Sequence, residues 1–190
     1  MEPPLCDRCG APTSWPVARC RECAGRRLAF ANARAALEYD ASVRRLVASW
    51  KERGLRRLAV AAAAIVVEVV ERPGVAVVTF VPSDRDRALK RGHHPARALA
   101  RELAGAWELP LLPALARVGT APRQRGLSRE ERRRNLRGAF EATCTVPARV
   151  LLVDDVYTTG ATVHFAASTL RKAGARHVEV ATFARAIRMS

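Results

Sequence analysis

Apolar and polar positions along the chain alternate between two periods, and the switches between them outline an α/β succession. Residues 35–39 read as a short strand. Asp40 then stands as an N-cap for a helix over 41–53, with Val43, Leu46, Val47 and Trp50 on one face. Gly54 breaks that helix, and 55–71 forms a second one, ended by Pro73-Gly74. Its most apolar part, 58–70, reads as a buried helix and is shorter than the ~20 residues that cross a bilayer. Residues 75–81 are an almost continuous apolar, β-branched run, the pattern of a buried parallel strand. A helix over 93–107 follows, with Ala96, Leu99, Ala100 and Leu103 inward, then a strand over 114–118. A buried strand over 150–153 ends at Asp154-Asp155, and a helix runs from the following Thr-rich turn through Arg171. The expectation is an α/β domain over 31–190, a parallel sheet flanked by helices, behind a small separate segment at 1–30.

Composition changes that picture in two ways. With 190 residues, of which 49% are hydrophobic and 5% aromatic, the core has to be built from Ala, Val and Leu. The net charge is +15, from 33 basic and 18 acidic residues, which favours polyanionic partners such as nucleic acid, nucleotides or sugar phosphates. The excess of Arg over Lys and the abundance of Ala also fit a GC-rich coding sequence, so charge alone leaves both explanations open. The first residues, Met-Glu-Pro-Pro-Leu-Cys, lack the basic and apolar regions of a secretory signal, so a cytoplasmic location is expected.

Four of the five cysteines form Cys6-x-x-Cys9 and Cys20-x-x-Cys23. Two such pairs close a tetrahedral zinc site, and Gly10 supplies the backbone freedom that a knuckle turn needs. Four thiolates leave no open coordination position, so the metal is structural, and it supplies folding energy that so few apolar residues cannot. Disulfides would need an oxidising compartment, and a redox Cys-x-x-Cys would need a thioredoxin-like setting. Arg8, Arg19, Arg21, Arg26 and Arg27 surround the segment, while Cys144 stands apart as an ordinary small residue.

Two loops carry candidate chemistry. The one after the 75–81 strand holds Arg85, Arg87, Lys90 and Arg91 at a strand's carboxyl end, where open α/β sheets bind ligands. Residues 119–136 carry Gly, Pro and many Arg, and Ser128-x-x-Glu131 is a capping box for a short helix. That stretch reads either as a charged surface turn or as a flap placing Arg123, Gln124 and Arg125 over a bound phosphate ester.

The sharpest signal is Asp154-Asp155-Val156-Tyr157-Thr158-Thr159-Gly160-Ala161-Thr162 between a strand and a helix. Backbone N–H groups of such a turn, the helix dipole and Thr hydroxyls all favour a phosphate. Two carboxylates would repel it, so they face donors instead, and the vicinal hydroxyls of a ribose fit. A Mg²⁺ held by sugar and pyrophosphate suits the same place. The alternative, a capped polar turn, does not explain paired acids, three Thr and a Gly at this spacing. Neither a P-loop nor a Gly-x-Gly-x-x-Gly pattern is present.

Residues 150–162 resemble the signature of type I phosphoribosyltransferases. Nearly the whole chain is similar to one branch, the ComF family, named for its link to DNA uptake in competent bacteria. The likeness rests on the four-cysteine ribbon, on Val81-Pro82 followed by Arg87 and Arg91-Gly92, and on Gln124-x-Gly126-Leu127-Ser128-x-x-x-Arg132-x-x-Asn135-x-x-Gly138-Ala139-Phe140. It implies a phosphoribosyltransferase-like sheet binding 5-phosphoribosyl-1-pyrophosphate. Asp154 and Asp155 would hold the ribose hydroxyls, 158–162 the 5′-phosphate, Arg87 and Arg91 the pyrophosphate, and the segment around Gln124 would close over it. The implied reaction is displacement of pyrophosphate by a nitrogen base. The rival is a binding protein that keeps the site as a sensor and engages single-stranded DNA or a DNA-uptake motor. Two departures fall on the acceptor and pyrophosphate side: Gly92 precedes His93-His94-Pro95 instead of Phe-Asn-Gln, and Thr120-Ala121 stands near a usual Arg-Thr pair. A His pair at a helix start reads more readily as a cap or surface feature than as a general base.

Overall fold

A computed structural model of the chain describes residues 4–53, 57–83, 93–118 and 138–187. Its elements are β1 (Asn32–Glu38), α1 (Ala41–Arg53), α2 (Arg57–Val69), β2 (Val77–Phe80), α3 (Pro95–Ala106), β3 (Leu115–Arg117), β4 (Phe140–Ala142), β5 (Arg149–Tyr157), α4 (Ala161–Lys172) and β6 (His177–Arg185). The main sheet has the order β1-β6-β5-β2, and every neighbouring pair is parallel. β3 and β4 form a separate antiparallel pair.

The period of two along β5 explains the layering. Val150 and Leu152 enter one apolar cluster, with α4, the β3–β4 pair and the cysteine segment. Leu151 and Val153 enter the other, with α1, α2 and α3. β2 divides the same way, Val77 to the first cluster and Val78 and Phe80 to the second. Both sheet faces are therefore covered, as a parallel sheet requires.

Several expectations hold. Asp40 caps α1, its Oδ1 accepting from Val43 N–H at 2.7 Å, and Val47 and Trp50 are buried. His94 is the N-cap residue of α3, and its side chain accepts from the Arg97 amide. The expected buried helix is only half so: α2 buries Ala59, Ala62, Ala63 and Val66, while Val60, Val67 and Val69 face outward. Among the described residues, α1, α2 and α3 form one helical layer on that side of the sheet, so a helix in it buries one stripe. The expected strand 150–153 is longer, continuing through both acids to Tyr157. The pattern reading assigns nothing after Arg171, yet β6 lies between β1 and β5 in the sheet. Its signal is the alternation Val178, Val180 leading into the apolar run Ala181 to Ala184. The capping-box helix at Ser128 lies outside the described residues.

The cysteine segment packs into the sheet's own core. Cys6, Cys9 and Cys23 are buried in the cluster that holds Val150, Leu152 and Val180. Gly10 (φ +69°) lies against β1: a Cβ there would fall 2.3 Å from the Ala33 carbonyl oxygen.

Candidate functional site

The cleft forms where two chain paths part. β2 pairs with β5 only as far as Phe80↔Val153, and the next bond, Val81 N–H to the Val153 carbonyl at 2.9 Å, ends the contact. β5 continues to Tyr157, paired on its other side with β6. After β2 the chain passes to α3 on one face, and after β5 to α4 on the other. Such a divergence at the carboxyl edge is where open α/β sheets form a crevice. Here it has a volume of about 300 Å³, and Asp154, Asp155, Val156, Thr158 and Thr162 line it.

The acids differ in environment. Asp154 Oδ1 accepts from the Asp155 amide at 2.9 Å. Desolvation, and then the Asp155 charge beside it, push the Asp154 carboxyl well above the usual carboxylate range; the backbone bond and Lys51 work the other way. Asp155 instead pairs with Lys51 Nζ of α1 at 2.6 Å. Lys51, Tyr39, Ser83, His94 and Arg117 also line the cleft, and none of them carries a motif that marks it as a site residue. His94 lies with both ring nitrogens toward backbone donors, Ser83 N–H at 2.7 Å and Arg97 N–H at 3.2 Å. Burial lowers its pKa; a neutral imidazole keeps one N–H, so at any moment only one of the two nitrogens accepts.

The turn after β5 presents the helix end. Gly160 is the N-cap of α4 in left-handed conformation (φ +71°), with no side-chain cap and no acid in the first turn. The Ala161 amide reaches Thr159 Oγ1 at 3.3 Å, and Thr158 is exposed. A Cβ on Gly160 would fall 2.2 Å from the Tyr157 hydroxyl beneath it. Tyr157 is buried, and burial raises its pKa although Arg185 opposes this. The structure thus brings together Asp154, Asp155, Val156, Thr158 and Thr162 along the cleft, with Thr159, Gly160 and Ala161 forming the turn and Tyr157 supporting it. Arg87, Arg91, Arg123, Gln124 and Arg125 lie outside the described residues. Among the described residues, Val118 N–H bonds the Ala139 carbonyl at 3.0 Å, and the guanidinium of Arg117, which lines the cleft, lies over the Phe140 ring.

The four cysteines converge separately. Their sulfurs all lie within 4.8 Å of one another, with Cys6–Cys23 at 3.7 Å, Cys9–Cys20 at 3.4 Å and Cys20–Cys23 at 3.9 Å. A tetrahedral ion with Zn–S bonds of about 2.3 Å sets sulfurs about 3.8 Å apart, so the donor set fits. Burial opposes ionisation of Cys6, but the amides of Cys9, Cys20 and Arg8 outweigh it and lower the thiol to about 7. Burial pushes Cys23 up to about 11, and Cys9 up as well. All four are free of disulfides.

Fold and site define an α/β protein with a crevice at the carboxyl edge of its parallel sheet and a four-cysteine knuckle in the same core. No family model matches the chain. Individual relatives do. Competence protein F of Haemophilus influenzae is 38% identical over 111 residues, 56% of this chain and 48% of that protein. DNA utilization protein YhgH of Salmonella typhimurium is 29% identical over 188 residues, 93% of this chain and 82% of that protein. Competence protein ComFC of Streptococcus pneumoniae is 31% identical over 105 residues, 55% of this chain and 46% of that protein. The match spans about half the length of the two competence proteins. The chain is homologous to YhgH over most of its length, and to competence protein F and ComFC over 56% and 55% of it.

Proposed function

We propose that the crevice binds a ribose 5-phosphate ester, 5-phosphoribosyl-1-pyrophosphate in particular, and that the protein is phosphoribosyltransferase-like. The observation that carries this is the continuity of Asp154, Asp155, the Thr158–Gly160 turn and the α4 N-terminus along one edge. The helix end and Thr hydroxyls suit the 5′-phosphate, and the acids suit the ribose hydroxyls, which donate where a carboxylate only accepts. The carboxylates are also the hard oxygen donors that Mg²⁺ takes, and Mg²⁺ supplies neutralisation of a pyrophosphate's charge when bound. Zinc is the metal we assign to the four cysteines, in a structural role.

In the proposed reaction the bond from C1 to the pyrophosphate oxygen breaks, with the electron pair leaving on pyrophosphate. A nitrogen nucleophile forms the new bond to C1 and loses its proton to solvent. No covalent residue is required; rate would come from positioning and from cations around the leaving group. Lys51 must yield Asp155 to the sugar, and it is then placed to meet the substrate's negative charge. Calorimetry with phosphoribosyl pyrophosphate and Mg²⁺, on wild type and on an Asp154→Ala/Asp155→Ala variant that stays folded, tests the reading. Binding confined to wild type supports it; no binding by wild type at millimolar ligand removes it.

Trp15 favours a second reading. It is 68% exposed on the cysteine segment, beside Arg19 and Arg21, in a groove of about 520 Å³. An exposed indole among cations is a stacking platform for single-stranded nucleic acid. Trp50 and Trp107 are buried, so oligonucleotide quenching of tryptophan fluorescence reports on Trp15. Quenching that survives the double Asp substitution and disappears in Trp15→Ala would support a DNA-binding role. Absence of quenching at low salt would remove it.

A further inference from the structure

Three contacts join the cysteine knuckle to the turn between β5 and α4. Arg26, three residues past Cys23, donates from Nη2 to the Thr159 carbonyl at 2.9 Å. Arg185, at the end of β6 and 3% exposed, donates to the Cys9 carbonyl and from Nη2 to Glu22 Oε2 at 2.7 Å. The same guanidinium lies 4.5 Å from the centroid of the Tyr157 ring. Tyr157 in turn supports Gly160, with its hydroxyl where a Cβ would stand. The third contact is on α4 itself: the Ala29 amide donates to His164 Nδ1 at 3.1 Å.

These contacts have a direction. The Thr159 carbonyl faces Arg26, so the peptide that follows turns its N–H the opposite way. Tyr157, held between Phe30 (6.4 Å, edge-to-face) and Arg185, sets the height of the Gly160 peptide. The knuckle residues carrying this load lie within a few positions of the metal ligands: Glu22 beside Cys23, and Arg26 on the turn that Cys23 closes through its carbonyl to Arg26 N–H at 3.2 Å. Without metal, 4–30 has few apolar residues to keep that turn in place.

We propose that the metal knuckle is a positioning element for the phosphate turn, with Arg26 and Arg185 as the residues that couple metal occupancy to phosphate-ester binding. The proposal rests on the ester-binding reading of the crevice. Coupling between two binding sites is reciprocal, so ester binding tightens the hold on the metal by the factor by which the metal tightens the hold on the ester.

The test uses the full zinc-loaded chain with ribose 5-phosphate as probe. Zinc affinity is measured by competition with a chelator of known affinity, with and without saturating ester. The expected result is a rise of roughly 5-fold or more, the lower end of typical coupling. The Asp154→Ala/Asp155→Ala variant subtracts any direct zinc–ester contact and is expected to show no rise. Arg26→Ala is expected to weaken ester binding and remove the rise, and Arg26→Lys, which still offers a donor to the Thr159 carbonyl, to restore part of both. Ester that binds wild type without changing its zinc affinity overturns the coupling and leaves the crevice reading intact. No ester binding by wild type overturns the crevice reading and the coupling with it. Wild-type coupling retained in Arg26→Ala overturns the assignment of Arg26.

Discussion

Asp154 is held in a place that disfavours its own charge. Desolvation and the neighbouring Asp155 raise its pKa, so the folded molecule binds this proton more tightly than the unfolded chain does. Its contribution to stability is therefore full at low pH and is lost as pH rises through the raised value. Asp154→Asn removes the charge without changing shape. It is expected to gain on the order of 1 kcal/mol at pH 8, as substitutions relieving a strained site do, with the gain vanishing toward the ordinary carboxylate range. Urea unfolding at pH 4 and pH 8 measures this, and the same variant is expected to lose ester binding. Gly160 shows the same tension in the backbone. At φ +71°, with the Tyr157 hydroxyl where its Cβ would be, Gly160→Ala is expected to cost about 1–3 kcal/mol. A lower urea midpoint with unchanged slope, together with weaker ester binding, is the expected result.

Among the elements, β5 and α3 decide how the crevice is built. β5 outruns β2 by the residues that carry chemistry, because only β6 pairs with it beyond Val153. The motif from Asp154 to Thr162 is legible in sequence because it is local: strand, turn and helix start follow one another in the chain. The true length of β5 is not legible, since adjacent acids read as a strand end unless the partner strand is known. β6 ends on a charged residue, Arg185, and only the knuckle, through Glu22 and the Cys9 carbonyl, makes that position a buried one. At the start of α3, His94 faces amide donors from both sides and has a lowered pKa. On acidification the unfolded chain takes up a proton near its ordinary pKa of about 6.5 while the folded ring takes one up only at lower pH, so stability falls below that pH. His94→Asn keeps a capping acceptor and is expected to flatten this slope. The check is the urea midpoint of both proteins between pH 7.5 and 5.5.

For the whole molecule, the cysteine segment and the sheet share one core. Cys6, Cys9 and Cys23 lie in the cluster with Phe30, Val150 and Val180. Stripping the metal is therefore expected to lower the melting temperature of the entire chain, in one transition seen alike by far-UV circular dichroism and by fluorescence of the buried Trp50 and Trp107. Two separate transitions, with the sheet melting unchanged, would contradict a shared core. No helix among the described residues is long and apolar enough to cross a membrane.

The sequence by itself determined what short-range chemistry encodes. It set the two cysteine pairs at knuckle spacing, the Asp40 cap, the buried strand of β2 and the acid–threonine–glycine turn before α4. Each depends on residues a few positions apart, where backbone geometry fixes which side chains meet. Tertiary structure alone decided that Lys51 closes on Asp155, that His94 and Arg117 enter the crevice, and that the knuckle holds the turn. Arg26 and Thr159 are 133 residues apart, and Arg185 and Glu22 are 163 apart. In a chain with 33 basic residues, nothing local distinguishes an arginine that holds a carbonyl from one that faces water. That difference arises only when the parallel sheet brings the ends of β5 and β6 to the same edge, beside the knuckle.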